Sequence, residues 1–288
     1  MCSFSTNISK PERIVDVNGE AYQLKRFLGN GRHTEIHAAK SLKTGSLVAL
    51  KQINKKYSDA LKNFQQEIQF LGKLNHTNVI KLIYAQESNF TILTELAKYD
   101  LFHAIYERKK GLCRQVKNLI PPQLIDALAY IHSQGIAHMD IKAENVVFTN
   151  ATTVKLIDFN LAKKIPINEM GNEMRIFNSN GTRITWSPQK YDRTYFFVSK
   201  DDIWALGFTL LEIEIGNPWA KPDMEDRNYQ QWVHDPLANE DFRSLAMRNE
   251  EYFCLLRWML NQHEDRRCSA AEAKESVYIK QWLQKKTK

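Results

Sequence analysis

The chain has 288 residues, and its apolar fraction of 43% is enough to fill the core of one large domain or two modest lobes. Only 8 prolines and 11 glycines occur, with no low-complexity window and no internal repeat, which excludes a disordered linker and a solenoid. The formal charge is +7, but acidic residues are interspersed with the basic ones. The charge therefore indicates a solvated surface and gives no direct signal for nucleic-acid binding.

The N-terminus and the cysteines bear on location. The first ten residues lack the apolar core of a signal peptide, and no stretch approaches the length of a membrane span. The cysteines form no CxxC pair and have no His at metal-ligand spacing, so neither a disulfide framework nor a zinc site is indicated. We expect an intracellular protein, cytoplasmic or nuclear, without membrane contact.

The first third of the chain alternates short β-rich runs with turns. The strand candidates are AYQLKRFLG, EIHAAKS, LVALKQI, VIKLIYAQ and FTILTEL. One helical pattern, DALKNFQQEIQFLGKLN, lies among them and places Phe64, Ile68 and Leu71 on one face. The sequence predicts an N-terminal extension over residues 1–21 and a small, mostly β lobe over residues 22–96.

Beyond Ala97 the pattern changes to helices. PPQLIDALAYIHSQG has an apolar stripe and ends on Gly135, and DDIWALGFTLLEIEIG and EEYFCLLRWMLN are apolar enough to be buried. Two short strand candidates, NVVF and VKLID, lie between them. The tract that contains Trp219 and Trp232 is a loop with a helix or a partner surface. The sequence predicts a larger helical lobe over residues 97–284, and hence an α+β fold with two lobes.

A glycine-containing stretch, LGNGRHTEI, lies between two strand candidates. Gly29 and Gly31 would let backbone N–H groups approach a phosphate, although a plain hairpin turn is the alternative. Lys51 ends the apolar run VALK and needs a partner, which a phosphate could provide. Glu67, in the predicted helix, is a candidate to hold the Lys51 ammonium in place, or else a solvent-facing acid.

The stretch HMDIKAENVVF places an acid, a base and an amide just before a predicted buried strand. Asp140 can accept a proton from an attacking hydroxyl, and Lys142 can neutralise charge on a transferring phosphoryl group. Asn145 can offer its carbonyl oxygen to Mg²⁺, and Asp158, at the end of VKLID, can offer a carboxylate to the same ion. A polar turn capped by Asp and Asn is the alternative interpretation.

The order and spacing of these segments resemble a eukaryotic protein kinase domain from about Tyr22 to Leu283. The family's glycine loop, ATP-anchoring lysine, helix glutamate, catalytic loop and metal-binding triplet are similar to LGNGRHTEI, VALK, Glu67, HMDIKAEN and DFN. GTRITWSPQ resembles the substrate-loop segment, DDIWALG the buried helix with Asp202, and EDRRCSA the segment with the late arginine, Arg267.

The resemblance implies that ATP and Mg²⁺ are bound, and that both lobes contribute to one site. Lys51 would hold the α- and β-phosphates, and the backbone after Thr94 would form the hinge that binds adenine. Asp140 and Lys142 would be catalytic, with Asn145 and Asp158 as metal ligands. The implied nucleotide-binding residues are Leu28, Gly29, Asn30, Gly31, Ile36, Ala49, Lys51, Glu67, Thr94, Glu95 and Ala97.

The identity of the acceptor follows from two positions. Lys142 and Thr182 resemble those of serine/threonine kinases, and Thr182 would bond to Asp140 and Lys142. The implied partner is a protein substrate with a Ser or Thr acceptor, and the oligomeric state is not predicted. A pseudokinase that binds nucleotide or acts as a scaffold is the alternative, and a small-molecule kinase of related fold is a third hypothesis.

The glycine loop and the catalytic loop each depart from the family pattern. Thr34 stands at the third glycine and His33 at the aromatic before it, which predicts a stiffer, more polar loop. Met139 replaces the arginine that pairs with a phosphate on the activation loop. We therefore expect no strict dependence of activity on phosphorylation there. Ser179 and Thr185 both remain candidates for autophosphorylation.

Two further departures lie in the metal-binding triplet and in the substrate-loop segment. Asn160 replaces a glycine, which restricts the backbone around Phe159, although Asn tolerates left-handed conformations better than most residues. Gln189 replaces a glutamate, so that an ion pair with Arg267 becomes a weaker hydrogen bond to a neutral amide.

Overall fold

The computed structural model describes residues 13–31, 34–108 and 111–286. They form two compact units, one made of the residues up to Ile68 with Lys81–Leu96, the other of Gln69–Ile80 with Ala97 onward. Within the described ranges, no helix combines the length and the apolar character that a bilayer crossing requires. His33 and most of the predicted N-terminal extension lie outside the described residues.

The first unit is built on a six-stranded antiparallel sheet with the strand order β1-β2-β3-β4-β6-β5. The sheet begins before the predicted lobe boundary at Tyr22, because β1 pairs with the first residues of β2. The helix α1 begins in this unit. The bounds are β1 Ile14–Val17, β2 Glu20–Gly31, β3 Thr34–Ser41, β4 Leu47–Ile53, α1 Ala60–Leu71, β5 Leu82–Gln86 and β6 Thr91–Glu95.

The alternation of side chains along β4 divides the core of this unit between the two faces of the sheet. Val48 and Leu50 are buried on one face, in a cluster with Tyr22 and Leu93. The opposite face carries a second cluster, in which Phe64 of α1 is fully buried. The second cluster holds α1 against the strand that carries Lys51.

The second unit is mostly helical and contains two small sheets, ordered β10-β9-β7 and β11-β8. Its α4 is buried along nearly its whole length. The predicted α+β fold class, with a β-rich part and a larger helical part, is confirmed. The bounds are β7 Tyr99–Asp100, α2 Arg114–Ser133, β8 Ile136–Ala137, β9 Val146–Phe148, β10 Val154–Leu156, β11 Lys163–Lys164, α3 Pro188–Tyr191, α4 Val198–Ile215, α5 Arg227–His234, α6 Glu240–Arg248, α7 Glu250–Met259, α8 Ala270–Lys274 and α9 Val277–Lys286.

One feature of the second unit differs from the prediction, and the structure decides one tract that the sequence left open. α2 begins at Arg114, so Pro121 and Pro122 lie inside the helix, where each removes an N–H donor. Both rings are buried, and their burial offsets part of that loss. The tract left between two interpretations forms α5 and α6, and Trp219 and Trp232 are both buried in an aromatic cluster.

The short helix α3 is held to the rest of the second unit through Gln189. Its Oε1 accepts a hydrogen bond of 2.9 Å from Nη2 of Arg267, as predicted, and its Nε2 donates to the carbonyl of Gln262 at 2.6 Å. Arg267 is buried, and burial lowers its pKa to about 10. Its other N–H groups donate to backbone carbonyls of Lys200 and Asn261. The neutral amide can bond to a donor and an acceptor at once, which a carboxylate cannot do.

We predict that Gln189→Ala lowers the free energy of unfolding by about 1–3 kcal/mol, because it leaves a partly buried carbonyl of Gln262 and a guanidinium N–H of Arg267 without a partner. Urea unfolding of the full chain measures this change. The matched control is Gln230→Ala on the exposed side of α5, which should change stability by about 0.5 kcal/mol or less. Equal losses for the two variants would contradict the prediction.

Candidate functional site

In the first unit, Lys51 and Glu67 form a buried ion pair. Nζ of Lys51 lies 2.7 Å from Oε2 of Glu67, with side-chain exposures of 11% and 4%. Lys51 points to the face of β4 on which α1 packs, since it follows the buried Leu50 of the other face. The predicted contact is confirmed. Removal of either partner would leave a buried charge uncompensated, which typically costs about 3–5 kcal/mol.

Several other predicted nucleotide-binding residues of the sheet share this face. Ile36 is paired with Lys51, and Ala49 with Thr94, and directly opposite residues of antiparallel strands project to the same side. Gly29 is in turn paired with Ile36. The strand register therefore gathers these predicted residues around the Lys51–Glu67 pair. Leu28 and Asn30 flank Gly29 in β2.

The described part of the glycine loop is closed by Thr34. Gly31 pairs with Thr34 across the β2–β3 turn, and its N–H donates to Oγ1 of Thr34 at 3.1 Å. A Cβ on Gly31 would lie 2.6 Å from this oxygen, whereas a Cβ on Gly29 would meet no atom within 4 Å. The hydroxyl that stands at the family's third glycine thus occupies one backbone donor, in keeping with the predicted stiffening.

The predicted hinge begins at the end of β6. Thr94 and Glu95 belong to the first unit, and Ala97 to the second. The Glu95 N–H donates to the carbonyl of Lys81 at 3.2 Å, and its side chain accepts from the Lys81 N–H at 2.8 Å. Both contacts hold the end of the strand in the sheet.

In the second unit, Asp140 lies at the centre of a compact hydrogen-bond network. Its Oδ1 accepts from the backbone N–H and the hydroxyl of Thr182, both at 2.8 Å. Its Oδ2 lies 3.1 Å from Nζ of Lys142 and from Nδ2 of Asn145. Nζ of Lys142 also donates to Oγ1 of Thr182 at 2.7 Å. The predicted contacts of Thr182 with Asp140 and Lys142 are both present.

His138 joins the Asp140 loop to the segment before Asp158, a link that sequence reasoning missed. Its Nε2 lies 2.9 Å from the carbonyl of Ile157, and its Nδ1 lies 3.3 Å from the N–H of Asp140. The neutral ring with its proton on Nε2 satisfies both contacts. The ring also packs against the buried Phe159, with centroids 4.8 Å apart. One imidazole therefore couples the two loops that carry the predicted catalytic and metal-binding groups.

Asp202, at the buried start of α4, fixes the backbone of the same loop. Its two oxygens accept from the N–H groups of His138 and Met139 at 2.6 and 2.7 Å, and Nε2 of His132 lies 3.0 Å from Oδ2. Burial raises the pKa of Asp202, but the hydrogen bond and the charge of His132, together with the backbone hydrogen bonds, outweigh it, and the pKa lies below its ordinary value. The ionised carboxylate holds Met139 in a left-handed conformation, with φ of 70°.

The predicted metal ligands fit a magnesium ion by their chemistry. The side-chain N–H groups of Asn145 donate to the carbonyl and the carboxylate of Asp140, so the amide oxygen points away from Asp140. Asp158 follows β10 in a left-handed conformation, with φ of 65°. An amide oxygen and a carboxylate on adjacent turns are the hard ligands that Mg²⁺ prefers. Asn160 is in a 3₁₀ turn, so the left-handed residue of the triplet is Asp158.

Gly181 lies directly against the backbone of Met139 and the carboxylate of Asp140. Its φ is +100°, and a Cβ there would lie 2.7 Å from the carbonyl of Met139 and 3.5 Å from Oδ1 of Asp140. It would also lie 3.4 Å from Nζ of Lys190, a buried ammonium that pairs with Asp201 at 2.8 Å. Sequence reasoning missed this ion pair, because Lys190 and Asp201 each look like a surface charge in the sequence.

The segment between Asp158 and Pro188 is anchored by apolar and ionic contacts. The side chain of Met139 is buried in a cluster with Phe196, against which Ile165 and Ile176 of the segment pack. Further along, Arg175 donates to Glu264 at 2.5 Å and to Asp265 at 2.9 Å. These contacts hold the segment in a chain that has Met139 in place of the arginine with which the family binds a phosphate on this segment.

The comparisons with known proteins agree with this geometry. The model of the protein kinase domain matches residues 22–279. The chain belongs to the protein kinase family. The HMDIKAEN segment contributes Asp140, Lys142 and Asn145 to the hydrogen-bond network described above, and Phe159 of DFN packs against His138.

Several serine/threonine-protein kinases are similar to the chain. Serine/threonine-protein kinase TIO of Arabidopsis thaliana is 29% identical over 271 residues, which is 91% of this chain and 19% of that protein. Serine/threonine-protein kinase 10-A of Xenopus laevis is 29% identical over 279 residues, 93% of this chain and 28% of that protein. Serine/threonine-protein kinase MAK of Homo sapiens is 31% identical over 201 residues, 68% of this chain and 31% of that protein. The chain spans less than a third of the length of each of these relatives.

We predict that Gly181→Ala destabilises the protein more than Gly135→Ala. Both glycines have positive φ, which costs an alanine about 1–2 kcal/mol, but a Cβ on Gly135 meets no atom within 4 Å. The collision with the Met139 carbonyl should add about 1–3 kcal/mol for Gly181→Ala alone. Urea unfolding of both variants measures the difference. Equal losses would show that the close approach at Gly181 is not a real constraint.

Proposed function

We propose that this chain transfers the γ-phosphoryl group of ATP to Ser or Thr hydroxyls of protein substrates. The observation that carries the proposal is the network of Asp140, Lys142 and Thr182, in which the carboxylate, the ammonium and the hydroxyl lie within 2.7–3.1 Å of one another. The names of the similar kinases support the same reaction class.

The proposed roles follow from the chemistry of each group. Asp140 accepts the hydrogen of the acceptor hydroxyl and orients its oxygen toward the γ-phosphorus, and Lys142 balances charge on the transferring group. The P–O bond to the acceptor forms as the bond from the γ-phosphorus to the β–γ bridging oxygen breaks, and ADP leaves. Catalysis of this kind depends mostly on positioning and charge.

The remaining groups bind the nucleotide. We propose that Lys51, fixed by Glu67, binds the α- and β-phosphates, and that the hinge backbone from Glu95 to Ala97 binds adenine. Asn145 and Asp158 would hold Mg²⁺, which would neutralise phosphate charge when bound. A pseudokinase is less well supported, because each of these polar groups is present and Lys51 has its partner. An intracellular location and a protein substrate are part of the proposal.

We predict that Asp140→Asn lowers the rate of phosphoryl transfer by about 10²- to 10⁴-fold, because the amide cannot accept the hydroxyl proton. Transfer of radiolabel from ATP to a generic basic protein measures it. Asp235→Asn, an exposed matched change in the same unit, should leave the rate unchanged. Wild-type incorporation no greater than that of Asp158→Ala would overturn the proposed function.

We also predict that phosphatase treatment leaves the activity unchanged, because contacts of Met139 and Arg175 already anchor the segment. Of the two candidate sites of autophosphorylation, the exposed Ser179 is favoured, because the Thr185 hydroxyl is buried and donates to the Thr182 carbonyl at 3.0 Å. Activity is measured before and after treatment, with mass spectrometry to verify removal of phosphate. Loss of activity after treatment, restored by incubation with ATP, would contradict the prediction.

A further inference from the structure

Arg183 occupies a distinctive position beside the acceptor site. It follows Thr182 directly, and Thr182 donates two hydrogen bonds to Oδ1 of Asp140. A substrate hydroxyl that bonds to Asp140 must therefore lie close to the backbone of Thr182. Residues of an extended peptide are spaced by about 3.3–3.6 Å, so the neighbours of the acceptor residue come within reach of a long side chain at position 183.

The guanidinium of Arg183 is exposed but held in place. It lies over the ring of Tyr191, with 4.9 Å between the central carbon and the ring centroid. This cation–π contact restricts the side chain, while the exposed guanidinium keeps N–H donors accessible to solvent. Among the described residues, no carboxylate lies within ion-pair distance of Arg183, so this contact with Tyr191 is not combined with a salt bridge.

Three other cations of the Asp140 network and of the segment before Pro188 already have anionic partners. Lys142 is paired with Asp140, and the buried Lys190 with Asp201. Arg175, earlier in the segment, is paired with Glu264. Arg183 thus differs from these neighbours, since its guanidinium is exposed directly after Thr182 and has no carboxylate partner among the described residues.

We propose that Arg183 is a specificity-determining residue that selects substrates with an anionic side chain within three residues of the acceptor. The proposal rests on the proposed kinase function. A guanidinium edge matches a carboxylate or a phosphate with two parallel hydrogen bonds, so the anion is that of Asp or Glu or of a phosphorylated residue. Arg183 acts in substrate binding and takes no part in phosphoryl transfer.

The test is a set of peptides with one Ser acceptor, in which Glu, phosphoserine, Lys or Ala is placed singly at each of the three positions on either side. For the wild-type chain, Glu at one or two positions should lower KM by about 3- to 10-fold relative to Ala, with kcat unchanged. Arg183→Ala should abolish this difference without changing KM for the Ala peptide. Arg183→Glu should reverse it in favour of Lys at the same positions. A larger effect of phosphoserine than of Glu would identify phosphorylated proteins as the source of the anion.

Arg227→Ala is the matched control, since Arg227 is exposed at the start of α5 in the same unit, and it should keep the wild-type preference. The same peptides, fluorescently labelled, are also titrated against each full-length protein by anisotropy. One outcome separates the two proposals. If no peptide is phosphorylated, but the acidic peptide binds more tightly than the neutral one and Arg183→Ala removes this difference in affinity, the inference on Arg183 is supported and the proposed kinase function is contradicted. Equal KM and equal affinity for acidic and neutral peptides, or a preference that survives in Arg183→Ala, would overturn the role of Arg183.

Discussion

The catalytic loop depends on one buried carboxylate, that of Asp202. Its oxygens take up two successive backbone N–H groups, those of His138 and Met139. This arrangement holds Met139 at positive φ, which an unbranched side chain would otherwise avoid at a cost of about 1–2 kcal/mol. The turn made there directs Asp140 to Thr182. The acceptor network is therefore set by a residue of α4 that cannot itself touch a substrate, because it is almost completely buried.

The buried Asp202 also explains how the loop tolerates methionine in place of arginine. The backbone geometry at position 139 is fixed by the main-chain N–H, so the side chain can change without moving Asp140. The methionine side chain then packs with Ile165 and Ile176, and Arg175 supplies an ionic anchor nearby in the sequence. In the family pattern, an arginine of the loop pairs with a phosphate that must be added to the segment. In this chain the positive charge is on Arg175 of the segment, and it pairs with the carboxylates of Glu264 and Asp265 without any modification.

Sequence reasoning found the residues that have a local signature and missed those that act through tertiary contacts. The strands, the glycine loop and the Asp140 loop follow from periodicity and spacing. The Lys51–Glu67 contact was predicted because Lys51 ends an apolar run and needs a carboxylate, which Glu67 in the predicted helix can provide. The start of α2 was misjudged because two prolines are strong breakers locally, whereas burial of their rings compensates in the fold. The pair of Lys190 and Asp201 gave no signal, because the two residues are eleven positions apart in different helices, α3 and α4, and meet only in the folded chain.

The ammonium groups of Lys190 and Lys51 are each paired with a carboxylate, but they differ in how much of the side chain solvent can reach. The side chain of Lys190 is 1% exposed and its ammonium is paired with Asp201, so it cannot reach a ligand and serves only to stabilise the packing next to Gly181. Lys51 keeps 11% of its side chain exposed next to Glu67, on a sheet face lined by small and apolar side chains. A partly exposed ammonium that is fixed by a carboxylate can still attract a phosphate at little further cost in side-chain entropy, because the carboxylate has already restricted its rotamers. The residual exposure, and not the charge alone, is what fits Lys51 to the proposed binding of phosphate.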